Sequence, residues 1–172
     1  MIDVDTLLAE VVGRCNVRME EVIGCSDQEI REVELDQGVT LPQSYRQFLQ
    51  SMGKFLAPMW AGSFFTYPAV LGLREVAFDL LQENGEPFVL AQDALVFWSH
   101  QGYMFMFLDT SYGADPPVYF YHEGEPGPMR TFDRFSDFLQ AYITGRDITP
   151  GFDPLVRTPL QPGSEESRWK PG

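Results

Sequence analysis

Two histidines and two cysteines are all that this chain of 172 residues offers to imidazole or thiolate chemistry. Cys15 and Cys25 show no C-x-x-C spacing and have no neighbouring histidine, so reduced, partly buried thiols are expected rather than a disulfide or a zinc site. His100 falls in a turn and His122 ends a strand beside Glu123. Neither belongs to a recognisable triad, and the G-x-S-x-G motif is absent. Glycine-rich phosphate loops of Walker or Rossmann spacing are absent too, and Asp109, Glu123 and Glu125 do not form an EF-hand series. The expectation is a protein without catalytic residues, cofactor or metal. An enzyme returns to consideration only if the fold brings His100 or His122 within hydrogen-bond reach of a nucleophile.

Basic residues are scarce as well: 12 against 25 acidic, a net charge of −13. Nucleic-acid backbones are held by clustered Lys and Arg, so direct nucleic-acid binding is not expected. An acidic surface instead speeds encounter with a basic protein, or simply keeps the protein soluble. No apolar run approaches the roughly 20 residues of a membrane span. The first ten residues, M-I-D-V-D-T-L-L-A-E, carry acids where a signal peptide carries basic charge. A cytoplasmic protein with no membrane association is expected.

What the chain does hold is aromatic residues, 14% of the total, which pack well on pleated surfaces and favour a core containing a sheet. At this length one well-buried domain is expected. Leu7, Leu8, Val11, Val12 and Cys15 predict a helix over Asp5 to Cys15. Ser26 and Glu29 form an S-x-x-E capping box for a second helix, Asp27 to Gln37, that buries Ile30 and Val33 and ends at Gly38. This helix is strongly acidic. From Leu41 to Lys54, Pro42 opens a third helix and Gly53, in the left-handed conformation, closes it. Tyr45, Phe48, Leu49 and Met52 fall on one stripe of that helix at i, i+3, i+4 and i+7.

Phe55 to Pro68 has no clean period. It reads as a buried crossing loop or as a stretch with Met59 and Trp60 partly exposed, with a strand near Ser63 to Tyr67. Leu73, Val76, Ala77, Leu80 and Leu81 predict a helix over Leu71 to Glu83, closed by Asn84-Gly85. Ala94 to Ser99 and Tyr103 to Asp109 form the clearest hairpin, joined through His100-Gln101-Gly102. Both faces of the second strand are apolar, which places it in the middle of a sheet. Val118 to His122 is the next antiparallel strand. Asp133 caps a last helix whose stripe is Phe135, Phe138, Leu139 and Tyr142 and whose terminator is Gly145. The fold class is therefore α+β, with N-terminal helices, a central mostly antiparallel sheet and a C-terminal helix packed on it. The domain spans residues 1–149, and residues 150–172, rich in Pro, Gly and charge, read as an extended or disordered tail.

The run from Ile30 to Gly53 resembles the signature of the SUKH superfamily: a helix ending in Glu, then a Gly, a Leu-Pro pair, and an aromatic-x-x-Phe-Leu stretch closing with Gly. Glu34, Gly38, Leu41, Pro42, Tyr45, Phe48, Leu49 and Gly53 match it in turn. Later elements, through the helix Phe135 to Ile143, follow the same succession. The resemblance implies an α+β domain that works by binding proteins. Bacterial members are typically immunity proteins that neutralise toxins; others are regulatory or scaffold proteins. Many such toxins are nucleases or deaminases, which are basic, so an acidic partner makes electrostatic sense. On this reading the acids Glu32, Glu34, Asp36, Asp115 and Glu123 are the candidate contacts, with Trp60 and Trp98 as aromatic anchors; the oligomeric state stays open.

Overall fold

The computed structural model describes residues 4–55 and 62–149; Met59, Trp60 and the tail from residue 150 lie outside the described residues. Helices α1 (Val4–Cys15), α2 (Asp27–Gln37) and α3 (Gln43–Met52) precede a short strand β1 (Ser63–Phe64) and helix α4 (Leu73–Glu83). Strands β2 (Ala94–His100), β3 (Met104–Asp109), β4 (Val118–His122) and β5 (Met129–Phe132) follow, and α5 (Phe135–Thr144) comes last. The five strands form one antiparallel meander in the order β1-β2-β3-β4-β5. The α+β architecture is thus the expected one, with α5 against the sheet.

The local signals act as their chemistry dictates. At α2, the Ser26 N–H donates to the Glu29 carboxylate at 2.8 Å while the Ser26 hydroxyl accepts the Glu29 N–H, and Gly38 ends the helix in the left-handed region at φ 69°. In the hairpin between β2 and β3, Gln101 and Gly102 both have positive φ, at 49° and 79°. Strand β3 does lie in the middle of the sheet.

The two faces of the sheet are filled differently. Register pairs Val96 with Phe107 and Trp98 with Met106, so Phe97 is the extra residue of a β-bulge. The bulge turns both Phe97 and Trp98 toward α5, where Trp98 meets Tyr142. The Phe97 ring meets Tyr45 of α3 at 6.1 Å and Phe135 and Phe138 of α5 at 5.3 and 5.0 Å. Phe65 completes this group, stacked on Phe48 at 4.7 Å. On the other face Phe105 lies beside Tyr121 and Phe107 stacks on Tyr119, with Phe88 closing on Tyr121. Each such ring withdrawn from water contributes about 1.5–3 kcal/mol.

Several expectations are corrected. The strand predicted near Ser63 to Tyr67 is only two residues long, because Phe65 leaves the ladder to enter the core. Val76 is exposed, so the buried stripe of α4 is Leu73, Ala77, Leu80 and Leu81. Strand β5 carried no signal, being a half-buried edge strand of four residues. Gly53 is not left-handed. Its φ is −63°, and it is required for closeness instead, since a Cβ there would lie 2.6 Å from the Leu49 carbonyl oxygen and 2.8 Å from Cys25 Sγ. Gly24 serves the same contact from the other side, where a Cβ would come within 1.7 Å of the Gln50 carbonyl oxygen. Together they let residues 23–25 run beside the end of α3, where the Cys25 N–H donates to Leu49 O at 2.7 Å and the Lys54 N–H donates to Ile23 O.

Candidate functional site

Most of the acids expected to make external contacts are at least partly exposed but already hold hydrogen bonds within the domain. On α2, Glu32 accepts the Tyr67 hydroxyl at 2.7 Å, a bond that pushes the Tyr67 phenol up to about 12. Glu34 accepts the Leu41 N–H at 3.1 Å and pairs with Arg46 of α3. Asp36 receives the Gly72 N–H, at the start of α4, on both carboxylate oxygens. Three acids spaced by two residues therefore tie α2 to three different segments. Glu34 explains part of the signature as well: the left-handed turn at Gly38 folds the chain back so that Leu41, just before Pro42, presents its N–H to that carboxylate.

Asp115 replaces Asp133 as the cap of α5. Its carboxylate accepts the Ser136 N–H at 3.1 Å and the Ser136 hydroxyl at 2.6 Å, while the residue at the cap position, Arg134, makes no side-chain capping bond and pairs instead with Asp137. Asp133 instead pairs with Arg130. Glu123 stands exposed in the turn after β4, with no ion-pair partner among the described residues. Trp98 is core, only 4% exposed, and its indole N–H donates to the Tyr142 hydroxyl at 3.2 Å. It offers a partner almost no surface. Trp60 lies outside the described residues.

The test set for an enzyme is met in distance alone. His100 Nδ1 lies 3.0 Å from Ser63 Oγ, across the β1–β2 pair. The imidazole is stacked on Trp98 at 5.7 Å, and among the described residues no carboxylate orients it. A serine–histidine contact without that third group lacks the arrangement that activates a nucleophile. The two cysteines are free; Cys25 is pushed up to about 11, chiefly by burial and then by the nearby Glu29 charge, which keeps it an unreactive thiol at neutral pH. Among the described residues no group of three or more His, Cys, Asp or Glu side chains is placed to hold a metal, and no helix is long and apolar enough to cross a membrane.

Grooves among the described residues include a small one of about 280 Å3 lined by Asp36, Gly72, Arg74, Glu75 and Phe78, and two larger ones. One, of about 630 Å3, is lined by the signature turn from Gly38 to Gln43 and by Gln92, Asp93, Thr110 and Gly113. The other, of about 410 Å3, lies between α4 and the segment after it, lined by Phe78, Leu81, Phe88 and Val89. Along the outer face of α4 stand Glu75, Asp79 and Glu83, all exposed. The sequence carries a local signal for this face: Phe78 sits off the buried stripe, and acids recur around it every four residues. In comparison with known proteins, the model of the SMI1 / KNR4 family (SUKH-1) matches residues 24–141. No curated protein matches the chain.

Proposed function

The chain belongs to the SMI1/KNR4 family, SUKH-1, which includes immunity proteins to polymorphic toxins, and on that premise we propose that it is a cytoplasmic, non-catalytic immunity protein. It binds a cognate toxin non-covalently and blocks its active surface. The observation that carries this reading is the family match over residues 24–141. The net charge of −13 supports a basic partner such as a nuclease or deaminase, whose own cations are there to hold nucleic acid. In this mechanism the acids of α2 and Asp115, held by internal bonds, add to the attractive field without anchoring the partner. Glu123 remains available for direct contact.

Co-expression with the product of an adjacent toxin-like reading frame tests the proposal. Protected cells and a co-purifying complex are expected; loss of viability without any complex would sink it. Ser63→Ala and His100→Ala should leave protection intact, because no bond is made or broken by this protein. The second reading is a regulatory or scaffold domain of the same fold with a non-toxin partner. Gene order separates the two, since a solitary housekeeping context without a neighbouring toxin gene favours the scaffold.

A further inference from the structure

Helix α4 keeps on its outer face two kinds of residue that its own fold does not use. Glu75, Asp79 and Glu83 stand at i, i+4 and i+8, one acidic line along the helix. Among the described residues none of the three has a hydrogen bond or ion pair. Like charges at this spacing repel and cost the helix stability. The helix's only cation, Arg74, turns its guanidinium to the carbonyls of Ala91, Gln92 and Ala94, at the entry to β2, rather than to the acids. Beside the line, Phe78 is 43% and Val89 is 49% exposed, and they flank the 410 Å3 groove whose other walls include the buried Leu81 and Phe88. The acids do not line this groove, whose own acid, Glu86, accepts the Tyr121 hydroxyl; they run along the same helix beside it, so that α4 offers an apolar centre and a charged flank, the two parts of a protein interface.

We infer that this α4 face is where the toxin docks, seating an apolar side chain between Phe78 and Val89 and setting Lys or Arg residues against Glu75, Asp79 and Glu83. The inference rests on the immunity reading above and gives it a location. Charge decides the occupant. A basic protein relieves the repulsion along the helix, whereas a second copy of this chain would lay one acidic line against another. The same face distinguishes the roles of its two parts: the acids govern the rate of encounter, and the groove governs how long the complex lasts.

The probe is the toxin domain encoded beside this gene, inactivated by mutation, with protection of cells producing the active toxin as the second readout. Three variants are compared with the wild-type chain: Glu75→Lys with Asp79→Lys and Glu83→Lys; Phe78→Ser with Val89→Ser; and, as a charge control elsewhere, Asp5→Lys with Glu20→Lys. All these side chains are exposed. Circular dichroism confirms folding, and the single changes Asp79→Lys and Phe78→Ser replace any multiple variant that fails to fold. Reversing the three acids should slow association about tenfold or more at low salt, a gap that narrows at high salt. Opening the groove should raise the dissociation rate about tenfold or more. The control should change either rate no more than about threefold, as befits screened charges remote from the interface. Wild-type protection together with undiminished binding by both α4 variants overturns the inference and leaves the immunity reading standing. No binding and no protection by the wild-type chain overturns both. Sedimentation of the chain alone as a dimer that the α4 variants dissolve also overturns it, in favour of a second copy.

Discussion

Gly38 and Gly53 both match the signature, and replacing each by alanine should expose two different physical reasons for a glycine. Gly38 has φ 69° and open space where a Cβ would stand. Its cost is conformational alone, about 1–2 kcal/mol for an L-residue in the left-handed region, and Gly38→Asn should recover part of it because Asn visits that region. Gly53 has φ −63° and ψ −16°, a helical conformation that suits alanine. Reasoning from chain entropy alone predicts that Gly53→Ala stabilises the fold by about 0.4–1 kcal/mol. The structure predicts the opposite sign. A Cβ would meet Leu49 O at 2.6 Å, Leu49 Cα at 2.7 Å and Cys25 Sγ at 2.8 Å, and two of these three are backbone atoms that the adjoining hydrogen bonds hold in place. Overpacking of this kind costs about 1–3 kcal/mol. Taking the upper end and subtracting the entropic gain leaves a net loss of about 2 kcal/mol, which lowers the melting temperature by ~4–8 °C in a domain of this size. Urea and thermal unfolding followed by circular dichroism measure both variants. Gly53→Asn should be no better than Gly53→Ala, in contrast to position 38. A Gly53→Ala variant as stable as the wild type, or more so, would refute the close-approach reasoning.

Other outcomes follow from single contacts. Gln37, 1% exposed, accepts the Val96 N–H at 3.1 Å beside the β2 bulge, so Gln37→Leu should cost about 1–3 kcal/mol in urea unfolding by orphaning a buried donor. Asp115→Ala removes the α5 cap and should cost about 1 kcal/mol, with Asp115→Asn milder; weakened toxin binding at unchanged stability would instead make Asp115 a contact residue. Glu29 is held below the ordinary carboxylate range by the Ser26 N–H and then by Lys54. A depressed carboxylate stabilises the fold at neutral pH, and that stabilisation is lost as pH falls below about 4.3, the ordinary glutamate value, and through the lower folded value. The stability difference between wild type and Glu29→Gln should therefore be full at pH 7 and shrink in acid; a difference independent of pH would exclude the linkage.

The elements that the sequence made legible are those whose signals are local. The Ser26–Glu29 box, the left-handed Gly38, the stripe of Tyr45, Phe48, Leu49 and Met52, and the two-sided strand β3 all depend on residues a few positions apart, and all stand as expected. Strand β5 did not announce itself because an edge strand needs only one partner and little burial. Val76 followed the helical period, yet the period marks a stripe without fixing its width, and the core reaches only as far as Leu73, Ala77, Leu80 and Leu81.

The α+β order of elements and the acidic character were legible in the chain alone, since they follow from periodicity, near-neighbour chemistry and composition, and the family was legible through the resemblance of the run from Ile30 to Gly53 to a known signature. Only the tertiary structure decided which acids are free. Glu34, Glu32 and Asp36 find their partners 7, 35 and 36 residues away, and Asp115 finds Ser136 at a distance of 21. A carboxylate in sequence looks the same whether it faces water or a backbone N–H. Among the described residues, folding brings distant donors to some of these groups and none to Glu75, Asp79 and Glu83, and that difference separates the acids that hold this domain together from those left to solvent.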